Sequence, residues 1–145
     1  MKRKTLYSLV EVKDISLERI IAAHAGQACV VGVDVAKEEL VCCPYWPDRS
    51  FDRPWRVASP GQIGRLVELL KALSARGPVV VAMESSGTYG DVLRQALSDA
   101  GLAVQRVSAK AVKDHAETFD SVPSQHDGKD AAVIAELCWL GKGTP

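Results

Sequence analysis

The feature that most constrains this chain is the run Val30-Val31-Gly32-Val33-Asp34-Val35-Ala36-Lys37, where β-branched and small apolar residues lead into one carboxylate. An apolar run of this length predicts a strand buried on both faces, the usual state of a central strand in an α/β sheet. Aspartate is disfavoured inside strands and costly to bury without a partner. Asp34 therefore has two readings. It ends the strand and accepts backbone N–H groups in a turn, or it serves a metal ion or a hydrogen-bond network.

A second strongly apolar strand, Pro78-Val79-Val80-Val81-Ala82-Met83-Glu84, also ends on a carboxylate, and a small-residue turn follows it. Asp127 and Asp130 stand three residues apart at the start of a helix expected over 127–140, so they share one face. Each of these acids has a plain structural role open to it. Asp127 and Asp130 suit the first turn of any helix, where the dipole favours acids, and Glu84 can bind the backbone of the turn at Gly87. If the helix end packs over the two strand ends, the four carboxylates converge. Like charges so gathered raise one another's pKa unless cations lie between them. Hard oxygen donors on a rigid scaffold select Mg²⁺ or Mn²⁺, and two such ions stabilise the attacking and leaving oxygens of a phosphoryl transfer.

The rest of the chain supplies a frame for such a site. Strands are expected over 29–35, 39–45 and 51–58, in a tightly spaced antiparallel meander, with Pro44, Pro47 and Pro54 marking edges or strand ends. A helix capped by Ser59 with Pro60 in its first turn carries the stripe Ile63, Leu66, Val67, Leu70 and Leu73. A helix near 90–100, a strand over 102–107 and a helix over 108–119 precede the last helix, whose expected buried stripe is Ala131, Ile134, Ala135 and Cys138. This order predicts a mixed-sheet α/β domain over 29–145. Residues 1–28 read as an N-terminal extension with a short helix (Ile15, Leu17, Ile20, Ile21 and Ala22) capped by Asp14 or Ser16.

Composition narrows the function. The 145 residues are 47% hydrophobic and 25% charged, enough for one domain with a true core. Eighteen basic and eighteen acidic side chains give zero net charge, which argues against gripping nucleic acid by bulk charge. Local patches must serve instead, and Arg106, Lys110 and Lys113 form the best candidate, with a solvated helix face as the alternative. Cys29, Cys42, Cys43 and Cys138 lack metal-ligand spacing, which argues against zinc. They read as apolar fillers in a reducing cytoplasm, Cys42 and Cys43 pointing to opposite faces. No secretory signal or membrane-length apolar stretch is present, so a soluble protein without membrane contact is expected. Trp46, Trp55 and Trp139 are expected in packing rather than as stacking platforms for bases. His126 either touches the site beside Asp127 or sits in a solvated loop, and Ser85 and Ser86 read as turn residues.

The order strand-Asp, strand-Glu, then Asp-x-x-Asp on a late helix resembles the RuvC-like branch of the RNase H-like nucleases and transposases. The local residues go further. Gly32-Val33-Asp34-Val35-Ala36-Lys37, Glu84-Ser85-Ser86-Gly87-Thr88-Tyr89, Gly101-Leu102-Ala103-Val104 through Val112-Lys113, and Asp127-Gly128-Lys129-Asp130-Ala131 are similar, in this order, to the amino-terminal domain of the DEDD transposases, the Piv/MooV-type insertion-sequence recombinases. The resemblance spans roughly 30–145 and implies an RNase H-like (RuvC-like) mixed five-stranded sheet with flanking helices. It implies that Asp34, Glu84, Asp127 and Asp130 are the catalytic tetrad that binds Mg²⁺ or Mn²⁺, and that the reaction is DNA strand cleavage and transfer. Gly87 and Tyr89 match the family's turn, with Ser86 where Thr is usual. Gln125, His126 and Gly128 stand where the family carries Lys-Thr and Arg, and Lys129 can compensate. Lys37, Tyr89, Arg106, Lys110, Lys113 and Lys129 are the candidate nucleic-acid contacts. The resemblance further implies a second domain with a serine nucleophile, which this chain lacks, a homo-oligomer in the full-length protein, and in some members a structured guide RNA. Two other readings stay open: a stand-alone junction resolvase or nuclease of the same fold, and a non-catalytic module that docks nucleic acid or oligomerises. A sugar-kinase-like ATPase needs a Gly-rich phosphate loop, and none follows Asp34.

Overall fold

A computed structural model describes residues 9–24, 26–48, 50, 53–84, 88–120 and 127–145, with the side chains of 117–120 and 127–128 outside that description. Among the described residues, six strands form one mixed sheet in the order β1-β4-β3-β2-β5-β6. β2 (Cys29–Val35) and β3 (Glu39–Tyr45) take the expected bounds and pair antiparallel, while β5 (Val79–Glu84) lies parallel to β2 on its other side. β6 (Ala103–Val107) continues the parallel half beyond β5. β2 is thus an interior strand, and its residues 29–33 are buried, as an apolar run flanked by two ladders requires.

The meander half departs from expectation. The sheet has six strands rather than five, because β1 (Val10–Glu11), inside the expected extension, pairs parallel with β4 (Trp55–Ala58). That pairing makes β4 an interior strand instead of an edge. Pro54, with no N–H to offer a ladder, stands just before β4 and gives its carbonyl to the N–H of Val10 at 2.8 Å. Phe51 and Asp52, the expected start of that strand, lie outside the described residues. Pro44 sits in β3 beyond Cys42, the last residue paired to β4.

Helices cover both faces. α1 (Leu17–His24) starts after Ser16, whose Oγ accepts the N–H of Arg19 at 3.4 Å. α2 (Ile63–Ser74) begins later than expected. Residues 59–62 form a turn closed by Gln62, which donates its N–H to Ala58 and accepts the N–H of Ala58 on its side-chain oxygen, both at 2.8 Å. α3 (Asp91–Asp99) ends at Gly101, whose φ of +79° lets Leu102 bond back to Leu97. These three helices cover one face, where Ile20, Leu66, Leu70, Leu93 and Leu97 pack on Val31, Val33, Val81 and Met83. Trp46 and Trp55 are each 1% exposed in this core, as packing residues should be, and Trp139 is 39% exposed.

α4 (Ala109–Asp120) and α5 (Asp127–Trp139) cover the other face. α5 is enclosed on more sides than a single stripe predicts, since residues 131–137 are all buried. It is packed between the sheet and α4, whose Val112 and Ala116 join Val133, Ile134 and Leu137 in one cluster. A helix in that position tolerates apolar residues all round. All four cysteines are free thiols, with Cys42 in the first core and Cys43 facing α5. No helix among the described residues is long and apolar enough to cross a membrane.

Candidate active site

Alternation along the strands decides which face the acids take. Val31, Val33, Val81 and Met83 belong to the α1–α3 core, whereas Val30 and Ala82 pack with α4 and α5. Side chains alternate along a strand, so Asp34 and Glu84 lie on the α5 face. The parallel ladder pairs Gly32 with Ala82 and Val33 with Met83. One further step sets Asp34 beside Glu84, on strands about 4.8 Å apart. Both residues are half-buried and stand at the carboxyl ends of parallel strands, where open α/β sheets place their ligand sites.

The helix that carries the other two acids comes down onto this spot. A Cβ placed on Gly32 would lie 2.0 Å from the carbonyl oxygen of Ala131 and 2.7 Å from the backbone nitrogen of Ala135. No side chain fits between them, so β2 and α5 touch backbone to backbone at that point. Gly32 precedes Asp34 by two residues on the same face, and Ala131 directly follows the half-buried Asp130. The side chain of Asp127 is outside the described residues. Among the described residues, no three His, Cys, Asp or Glu side chains lie close enough to enclose a metal ion. The donor chemistry nevertheless fits a hard cation, because adjacent carboxylates on rigid strand ends are the ligands Mg²⁺ and Mn²⁺ take. Asp34, Glu84, Asp130 and Lys129 all have interaction partners.

Lys129 differs most from its expected role. It is 0% exposed, so its ammonium lies within the fold and does not face a solvent-borne phosphate. A buried charge persists only among oxygens that offset it. Lys37, in contrast, is exposed in the turn after β2, at the sheet end that bears Asp34. Tyr89 is 56% exposed, and the neighbouring Gly90 packs against Met83 and Val35 at those strand ends. Lys110 and Lys113 are exposed on α4, though Lys110 bonds Asp114 at 2.8 Å, and that bond and charge raise its pKa. Arg106 aligns with Met83, which places it on the face opposite the acids. Ser85, Ser86, Gly87, Gln125 and His126 lie outside the described residues.

A second polar cluster escaped the sequence reading. Tyr45 donates its hydroxyl to Oε1 of Glu136 at 2.6 Å, and Nε2 of His115 meets Oε2 of the same carboxylate at 2.7 Å. Glu136 is 5% exposed, so Tyr45 of β3 and His115 of α4 meet a buried carboxylate in the last turn of α5. His115 and Tyr45 stand 70 residues apart in the chain, so no local spacing signals the contact. Tyr45 pairs with Val30, at the end of the sheet away from Asp34.

Residues 31–145 match the sequence model of the IS110-type DEDD family, described as transposase. No curated relative matches the chain. Among solved structures, T. thermophilus RuvC in complex with a Holliday junction substrate is similar over 81% of this chain and 99% of that one, at 17% identity and a TM-score of 0.55. The yeast mitochondrial Holliday junction resolvase Ydc2 is more distant, at 12% identity and a TM-score of 0.45 over 87% of this chain and 86% of that one. The first likeness shows a RuvC-like fold.

Proposed function

Because the chain belongs to the IS110-type family of DEDD transposases, we propose that it forms the acid centre at which DNA strands are cut and transferred during insertion-sequence transposition. Asp34, Glu84, Asp127 and Asp130 are the ligands assigned to a divalent cation, Mg²⁺ or Mn²⁺. One observation supports this reading most directly. Two strand-end carboxylates stand at adjacent register positions on the face that α5 covers, and the first turn of α5 carries the other two.

The protein's part is to bring the elements that carry these groups to one end of the sheet. Asp34 and Glu84 are fixed by the parallel ladder, and Asp127 and Asp130 by a helix buried along most of its length. When bound, the cation supplies charge stabilisation for the attacking and leaving oxygens of phosphoryl transfer. Lys37 and Tyr89, exposed at the same end of the sheet, are the contacts assigned to a nucleic-acid strand, one for phosphate and one for a base face. Lys129 is enclosed within the fold and is not assigned a contact with the nucleic acid. The family resemblance adds as partners a structured guide RNA, as in some members, and further copies of the full-length protein, and the free cysteines fit a reducing cytoplasm.

The test is a Mn²⁺ titration followed by amide line broadening. Broadening centred on Asp34, Glu84, Asp127 and Asp130, and lost in Asp34→Ala, is the expected result. Diffuse broadening, or broadening confined to surface acids such as Glu68 or Asp91, sinks the proposal. Cleavage of branched DNA by this chain alone with Mg²⁺ would replace transposition with junction resolution.

A further inference from the structure

We infer that Gly32 is a positioning residue of the acid centre: its missing side chain sets how close the backbone of α5 comes to β2, and through that the spacing between Asp34 and the acids of α5. The inference rests on the metal-site reading above. Three observations carry it. A Cβ at Gly32 would overlap the Ala131 carbonyl at 2.0 Å and the Ala135 nitrogen at 2.7 Å, and would press on the Ala135 Cβ at 3.0 Å. The first two neighbours are backbone atoms of a buried helix, so no rotamer change relieves them and α5 must lift. The contact point is also local to the site, two residues before Asp34 on one side and directly after Asp130 on the other. Finally, the residues around it are small: Ala82 beside Gly32 on β5, and Ala131, Ala132 and Ala135 on the helix, are all 0% exposed.

A helix seated by side chains can settle at several heights as rotamers change. One seated on a glycine has a single lower limit, set by backbone contact. Metal ligands tolerate little displacement, and loss of the groups that orient them costs about ten- to a hundredfold in metal affinity. The closing experiment compares Mn²⁺ affinity, read from amide line broadening, with melting temperature in Gly32→Ala and in Leu70→Ala. Leu70 is fully buried on the opposite face of the sheet. Gly32→Ala is expected to weaken Mn²⁺ binding at least about tenfold, while Leu70→Ala lowers the melting temperature and keeps affinity within about twofold, since it touches no ligand. Ala135→Val adds bulk at the same contact from the helix side, and it should also weaken binding if Gly32→Ala does not fold. Unchanged affinity in a folded Gly32→Ala overturns the inference but leaves the metal site standing. Absence of binding at the tetrad in the unmodified chain overturns the metal site itself. Failure of both contact variants to fold assigns Gly32 to stability alone and equally overturns the positioning role.

Discussion

The α1–α3 face of the sheet and the patch around Gly32 on the other face are built on different scales. On one, Leu66, Leu70, Leu93, Leu97, Trp46 and Trp55 fill the space between strands and helices with large side chains. On the other, Gly32, Ala82, Ala131, Ala132 and Ala135 bring helix and sheet almost into backbone contact. Large side chains bury more apolar area and contribute more stability. Small ones contribute less burial but fix the distance between elements with little play. The acids stand on the second kind of face. The difference teaches that this fold separates the source of its stability from the source of its geometry.

Several substitutions test that separation. The largest effect is expected from Asp34→Asn, which should weaken Mn²⁺ binding at the acid centre about a hundredfold. Its melting temperature should stay level or rise, because one of several like charges is gone. A clear fall in stability would mean that Asp34 is a structural strand-end residue. Leu70→Ala should act the opposite way, lowering stability by about 2–5 kcal/mol in chemical denaturation. Should it also disturb the acid centre, the two faces are coupled and the separation fails.

Tyr45→Phe probes a polar group on the close-packed face. It removes the Tyr45 hydroxyl from the buried Glu136 carboxylate and should cost about 1–3 kcal/mol, leaving Mn²⁺ binding at the other end of the sheet intact. Cys42 reports on the dryness of the large-residue face. Burial pushes its thiol pKa far above the ordinary value. The unfolded chain therefore loses that proton first as pH rises past the unfolded value, and stability contributed by the protonated thiol, fully present below it, is then lost. The slope is about 1.4 kcal/mol per pH unit. Relative to Cys42→Ala, the unmodified chain should lose stability more steeply above about pH 9, and parallel curves would show that water reaches the thiol. Lys110→Ala, which breaks a fully exposed pair with Asp114, should leave the melting temperature unchanged.

Much of this architecture is legible in the order of the residues. The bounds of β2 and β3 follow from apolar runs closed by turn residues, and the burial of Trp46 and Trp55 from their size. What local patterns miss has a common cause. β1 is two residues long and carries no periodic signal, yet it takes a place in the sheet because β4 offers it an edge. Lys129 reads as a surface cation next to Gly128 and Asp130, and only the packing of α5 between two layers encloses it. A glycine inside a strand does warn of a close approach, but it cannot say by what.

By itself, then, the sequence determined the element order, the strand-end placement of Asp34 and Glu84, and the family to which the chain belongs, because all of these rest on residues near one another in the chain. Tertiary structure alone decided that Asp34 and Glu84 share a face and a register, that α5 rests on Gly32, that Arg106 faces away from the acids, and that Glu136 joins Tyr45 and His115. Those facts depend on distances between segments far apart in sequence. Such distances are set by how tightly side chains of particular sizes pack, which no local pattern records.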